Sequence, residues 1–99
     1  MFDHSMIERL QKAQDEIENA KQRLENMMLE ASSPSDKVKV TISAAKKITG
    51  VRISPDLLNA DMEELEDHIV MALNNAISLA EQAWESEMKS AASGLMPGI

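Results

Sequence analysis

Lys37-Val38-Lys39-Val40-Thr41-Ile42-Ser43 alternates polar and β-branched apolar side chains without a break. A two-residue period is the signature of a strand. It predicts Val38, Val40 and Ile42 on a covered face, with Lys37, Lys39 and Thr41 on an open one. The preceding Ser32-Ser33-Pro34-Ser35-Asp36-Lys37 is turn chemistry. Ala44-Ala45-Lys46-Lys47 is the next turn, although it lacks the Asn-Gly or Asp-Gly that favours a tight hairpin. Ile48 to Ile53 is then a second strand, with Val51 and Ile53 expected inward and Gly50 marking a bulge. The result is a β-hairpin over 37–54.

Both flanks of the hairpin are helical. Residues 4–30 hold no Gly or Pro, and Met6, Leu10, Ala13, Ile17, Ala20, Leu24 and Met27 repeat at spacings of four and three. That is a heptad seam, suited to packing along one edge of another helix. Met28–Ser32 reads either as the end of this helix or as a third short strand. Ser54-Pro55-Asp56 stops the second strand, because proline cannot donate to a ladder. Asp61, with Glu64 three residues on, opens a second long helix over 61–92. Leu65, Ile69, Ala72, Ala76 and Ala83 form one apolar stripe on it; Val70, Leu73, Ile77, Ala80 and Trp84 form its neighbour. So wide a face is expected to cover the sheet and touch a helix. Residues 93–99 are expected to form a loose tail. The fold class is α+β: long helix, small antiparallel sheet of two to three strands, long helix, in one domain over 1–99.

A helix over 61–92 is about 48 Å long, whereas a compact chain of this size has a radius of gyration of only about 13 Å. The helices must overhang, and their apolar seams continue into the overhang. A second copy is the simplest cover, so a two-fold homodimer is expected.

Composition narrows the function. The chain has 99 residues, no cysteine, and only Phe2 and Trp84 as aromatics. Thiolate chemistry and Cys-bound zinc are excluded, and so are platforms of stacked aromatics for single strands. No apolar run approaches the roughly 20 residues of a membrane helix, and the N-terminus lacks a signal-peptide pattern. A cytoplasmic setting is expected. The net charge of −7 is unevenly spread. Residues 1–30 carry −3, residues 31–54 carry +4 and residues 55–99 carry −8. Any contact with a polyanion must therefore be local.

Motifs for catalysis are absent: there is no Gly-rich phosphate loop, HExxH, nucleophile elbow or EF-hand. Glu64 and His68, four apart on a helix, match the spacing of a metal pair, but an ordinary surface pair explains them better. Asp61, Glu63, Glu64, Glu66 and Asp67 suit the positive end of a helix dipole. The methionines and Trp84 read as packing, although methionine-rich faces also make adaptable binding surfaces. Lys37, Lys39, Lys46, Lys47 and Arg52 are the candidate phosphate contacts, joined by Arg9 and Lys12 on the first helix. The competing reading is that lysines keep an exposed strand from pairing with other chains.

Four stretches together resemble the YbaB/EbfC family of nucleoid-associated proteins. They are Lys37-Val38-Lys39-Val40-Thr41, Ile53-Ser54-Pro55-Asp56-Leu57-Leu58, and the helix segments Met62-Glu63-Glu64-Leu65-Glu66-Asp67 and Ala72-Leu73-Asn74-Asn75-Ala76. The opening Met1-Phe2 and the ending Ser93-Gly94-Leu95-Met96-Pro97-Gly98 are similar too. The resemblance implies a tweezer-like homodimer with a central antiparallel sheet. It implies binding to double-stranded DNA in the nucleoid, with no enzyme activity, cofactor or small-molecule substrate. The chain departs from the family pattern in its loops, with Ser33-Pro34-Ser35-Asp36 in place of a Gly-rich turn and Ser43-Ala44-Ala45 in place of Asn-Gly. A helix–hairpin–helix chain with heptad seams also resembles prefoldin-type subunits, so a chaperone-like interaction module is the alternative.

Overall fold

The computed structural model describes residues 4–93. The elements are α1 (His4–Asn26), β1 (Met28–Ser32), β2 (Val38–Ser43), β3 (Ile48–Ile53) and α2 (Met62–Ser93). Single 3-10 turns lie at Pro34–Asp36 and Pro55–Asn59. The strands form one antiparallel sheet in the order β1-β2-β3, and the class is α+β.

The first helix is shorter than its propensity suggests. It stops at Asn26, and Met28–Ser32 is a strand paired with β2 from Met28↔Ser43 to Ser32↔Lys39. Met27 N donates to the Leu24 carbonyl at 3.3 Å, satisfying one of the orphan acceptors at the helix end, and Asn26 Nδ2 donates to the Gln22 carbonyl at 3.0 Å. Ala44 N then donates to Met27 O at 2.9 Å. Met-Leu-Glu favours helix locally, but a full ladder of β bonds outweighs that preference.

The β2–β3 turn solves its missing glycine with a lysine. Lys46 N donates to Ser43 O at 2.9 Å, and Ser43 N to Lys47 O at 2.8 Å. This is a type I turn followed by a left-handed residue, Lys46, at φ 68°. In the β1–β2 connection Ser35 and Asp36 also take positive φ, 59° and 56°. Beyond the turn, Thr41 faces Gly50 while Ile42 faces Ile48, so Thr49 is the extra residue of a bulge beside Gly50.

The core lies between α2 and the sheet. Val38, Val40 and Ile42 are fully buried against Leu57, Ala72, Ala76 and Ala80. Small alanines let the helix approach the sheet closely. Asp61 Oδ1 accepts the Glu64 N–H at 2.8 Å and starts α2. The helix reaches Ser93, and the rest of the tail expected at 93–99 lies outside the described residues.

Three apolar surfaces expected to be covered are open. Val51 and Ile53 share a sheet face with Val40 and Val38, their cross-strand partners, yet they are 50% and 40% exposed. The reason is that α2 packs over β1 and β2 and leaves β3 bare. On α2, Val70 and Ile77 of the second stripe are exposed. On α1, the seam is buried at Ala20 and Leu24 but open at Leu10. Only the C-terminal half of α1 lies against α2, so its first turns overhang. The described residues span 68 × 23 × 17 Å, with a radius of gyration of 19.4 Å. A prefoldin-type arrangement needs the two helices of one chain to zip onto each other as a coiled coil, with no sheet shared between copies. Here the first half of α2 covers a sheet, which counts against that reading.

Candidate nucleic-acid interface

The cations fall into three groups instead of one patch. Lys37, Lys39 and Arg52 belong to the end of the sheet where β2 begins and β3 ends. Lys46 and Lys47 sit on the turn at the opposite end of the hairpin. Arg9 and Lys12 are exposed on the overhanging half of α1. Arg9 precedes the end of α1 by 17 residues, which is about 26 Å of helix.

Carboxylates that the sequence pattern did not point to hold several of them. Lys37 Nζ lies 2.7 Å from Asp56 Oδ2, and its hydrogen bond and charge hold that carboxyl below the usual aspartate range. Lys39 Nζ is 4.0 Å from Glu30 Oε1, and Lys46 Nζ is 3.7 Å from Glu81 Oε1. Arg23 Nε donates to Glu87 Oε1 at 3.0 Å, clipping α1 to α2. Among the described residues, Arg9, Lys12, Lys47 and Arg52 have no ion pair. The Lys39–Glu30 contact follows once β1 is known to be a strand. Glu81 carries no local signal, because only the packing of α2 over the sheet brings it to the turn.

The outer face of the sheet, opposite α2, is polar around Lys39 and Arg52, with Met28 exposed toward the other end. Glu30, Lys39, Thr41, Gly50, Val51 and Arg52 line a shallow hollow of about 120 Å³ there. His68 does not pair with Glu64. Its Nδ1 lies 2.8 Å from Ser33 Oγ, which also accepts the Val38 N–H at 2.9 Å. No cluster of three metal-ligating side chains occurs among the described residues. No described helix is long and apolar enough to cross a membrane.

The inner face of β3 and one flank of α2 form a continuous apolar surface. Asn75 Nδ2 donates to Ser32 O at 2.9 Å, and His68 reaches Ser33, so one flank of α2 is anchored at the end of β1. At 3.6 residues per turn, Val70, Leu73 and Ile77 lie on the other flank. That flank overlooks β3, with its bare Ile48, Val51 and Ile53.

A polar hairpin with free cations, beside an apolar face that lacks a cover, is the geometry to set against known proteins. The family model for the YbaB/EbfC DNA-binding family matches residues 2–95. The chain belongs to that family. Among its relatives, a nucleoid-associated protein of Flavobacterium johnsoniae is 34% identical over 94 residues, covering 95% of this chain and 88% of that one. A nucleoid-associated protein of Clostridium acetobutylicum is also 34% identical, over 98 residues, covering 97% and 88%. The crystal structure of the uncharacterized Helicobacter pylori protein HP0035 shares the fold. Its TM-score is 0.72 at 19% identity, over 98% of this chain and all of that one. The resemblance carried by Lys37–Thr41 and Ile53–Leu58 is thus membership of the YbaB/EbfC family.

Proposed function

We propose that this chain is a nucleoid-associated protein that binds double-stranded DNA as a homodimer, without enzyme activity. The observation that carries the proposal is the family match over residues 2–95. The exposed cations support it physically, since a protein this acidic holds DNA only through local groups. Arg9, Lys12, Lys47 and Arg52 are free to meet phosphates at first encounter. Lys37, Lys39 and Lys46 join by exchanging a carboxylate for a phosphate. The second copy covers the surface made by β3 and the open flank of α2. A two-fold axis there places the same apolar residues on both sides of the interface.

Contacts of this kind are made to the backbone, so affinity falls with salt by roughly 0.9 log units per log unit of salt for each phosphate neutralised. A mobility-shift titration with duplex DNA at about 50 and about 200 mM salt tests this. Binding at the lower concentration and marked loss at the higher one are expected. The double change Lys46→Glu with Lys47→Glu is expected to weaken binding while the circular dichroism stays unchanged. No shift by micromolar protein at low salt sinks the proposal.

A further inference from the structure

We propose that the open outer face of the sheet carries a phosphate clamp, made by Lys39 and Arg52 with the Thr41 hydroxyl, and that Glu30 is the carboxylate a DNA phosphodiester displaces. The inference rests on the DNA-binding reading above and names the groups that grip the backbone at one place.

The register supplies the first argument. Lys39 and Arg52 are direct cross-strand partners on β2 and β3. Like charges placed opposite each other in a sheet destabilise it. A sheet stabilised only for its own sake would set a carboxylate or a threonine at one of the two positions. Local rules are broken where another function is served, and an anion between the two side chains turns the repulsion into attraction.

The surroundings supply the second. Arg52 is exposed and has no ion pair among the described residues. Lys39 has only Glu30, at 4.0 Å, the outer limit of an ion pair. Gly50 sits beside them, and a Cβ built on it meets nothing within 4 Å. The floor of the hollow is therefore bare backbone with room above it. Its volume of about 120 Å³ is several times what a single water needs, roughly 10–15 Å³. Thr41, the cross-strand partner of Gly50, brings a hydroxyl donor to the same hollow. A planar guanidinium fork, an ammonium and a hydroxyl around an open floor match the two free oxygens of a phosphodiester. Glu30 occupies the position of those oxygens loosely enough to be replaced.

The test joins thermal melting to DNA titration. Arg52→Glu puts a carboxylate opposite Lys39. It is expected to raise Tm by about 1–5 °C, the scale of one cross-strand pair in a domain of this size. The same variant is expected to bind duplex DNA at least ~5-fold more weakly, with a salt slope lower by about 0.9. A more stable sheet that binds DNA less well is an outcome that a purely structural arginine does not produce. Glu30→Gln is expected to tighten binding ~2–5-fold, the scale of one exposed ion pair. Glu63→Gln removes the same charge from an exposed site on α2 and is expected to leave affinity within ~1.5-fold. The clamp is overturned if wild-type protein binds DNA while Arg52→Glu keeps its slope and Glu30→Gln matches Glu63→Gln. In that case the DNA-binding reading stands. Absence of binding by the wild-type protein at low salt overturns both.

Discussion

β2 and β3 are neighbours in one hairpin, both rich in β-branched residues, and their fates differ. Val38, Val40 and Ile42 are wholly buried, whereas their partners Ile53, Val51 and Ile48 are close to half exposed. All six lie on the same side of the sheet. The difference is the helix above them: α2 spans β1 and β2 and ends its cover there. Alternation in a sequence says which side of a sheet a residue faces. It does not say whether anything lies on that side. The bare strand also lies at an edge of the sheet, so unpaired backbone groups accompany its uncovered side chains, and the proposed second copy would meet both there.

The largest expected effect comes from cutting the covered strand. Ile42→Ala leaves a cavity against α2 and is expected to cost about 2–5 kcal/mol, read from urea unfolding. Its partner change Ile48→Ala, measured in dilute protein, is expected to cost well under half as much. Equal losses at the two positions would mean that β3 is as well packed as β2 within a single chain, and the contrast between them would be wrong.

A charge on the bare strand sharpens the same contrast through assembly. Val51→Asp is expected to leave helical circular dichroism largely intact and to convert the proposed dimer to monomer in sedimentation equilibrium. Burying an unpaired carboxylate in the joint is far costlier than leaving it in water. A dimer that survives the change would place the joint elsewhere, the overhanging seam of α1 being the next surface to probe.

What was legible in the sequence follows the same division between side and cover. The period of Lys37–Ser43 predicted β2 and its buried residues, and Asp61 marked the start of α2. Length alone predicted that the helices overhang. The end of α1 carries no local mark, because Met28-Leu29-Glu30 suits a helix and only pairing with β2, a non-local fact, makes it a strand. The turn at Lys46 was obscured for another reason. A lysine in the left-handed region has no sequence signature, since glycine and asparagine are the residues that announce that conformation. At the candidate site, charge counting found the cations but not their partners. Asp56, Glu30 and Glu81 reach Lys37, Lys39 and Lys46 from 19, nine and 35 residues away, beyond the range of any local spacing rule.

The smallest expected effect tests the tie between the two strands. Lys37 precedes β2, and Asp56 follows β3, so their ion pair fastens the exit of the bare strand to the entry of the covered one. Lys37 holds the Asp56 carboxyl below its usual value, so the folded state binds that proton less readily than the unfolded chain does. The stabilisation is therefore complete above the usual aspartate pKa of about 3.9 and is lost as pH falls through the depressed folded value. Both groups touch solvent, so the effect is small. Other carboxylates titrate over the same range, and the useful quantity is a difference. Between about pH 5 and about pH 2.5, the urea midpoint of the wild-type protein is expected to fall slightly further than that of Asp56→Asn. Parallel curves would mean that the side chains add nothing there. The backbone bond from Ser54 N to Lys37 O, at 2.8 Å, would then be what joins the two strands at this end.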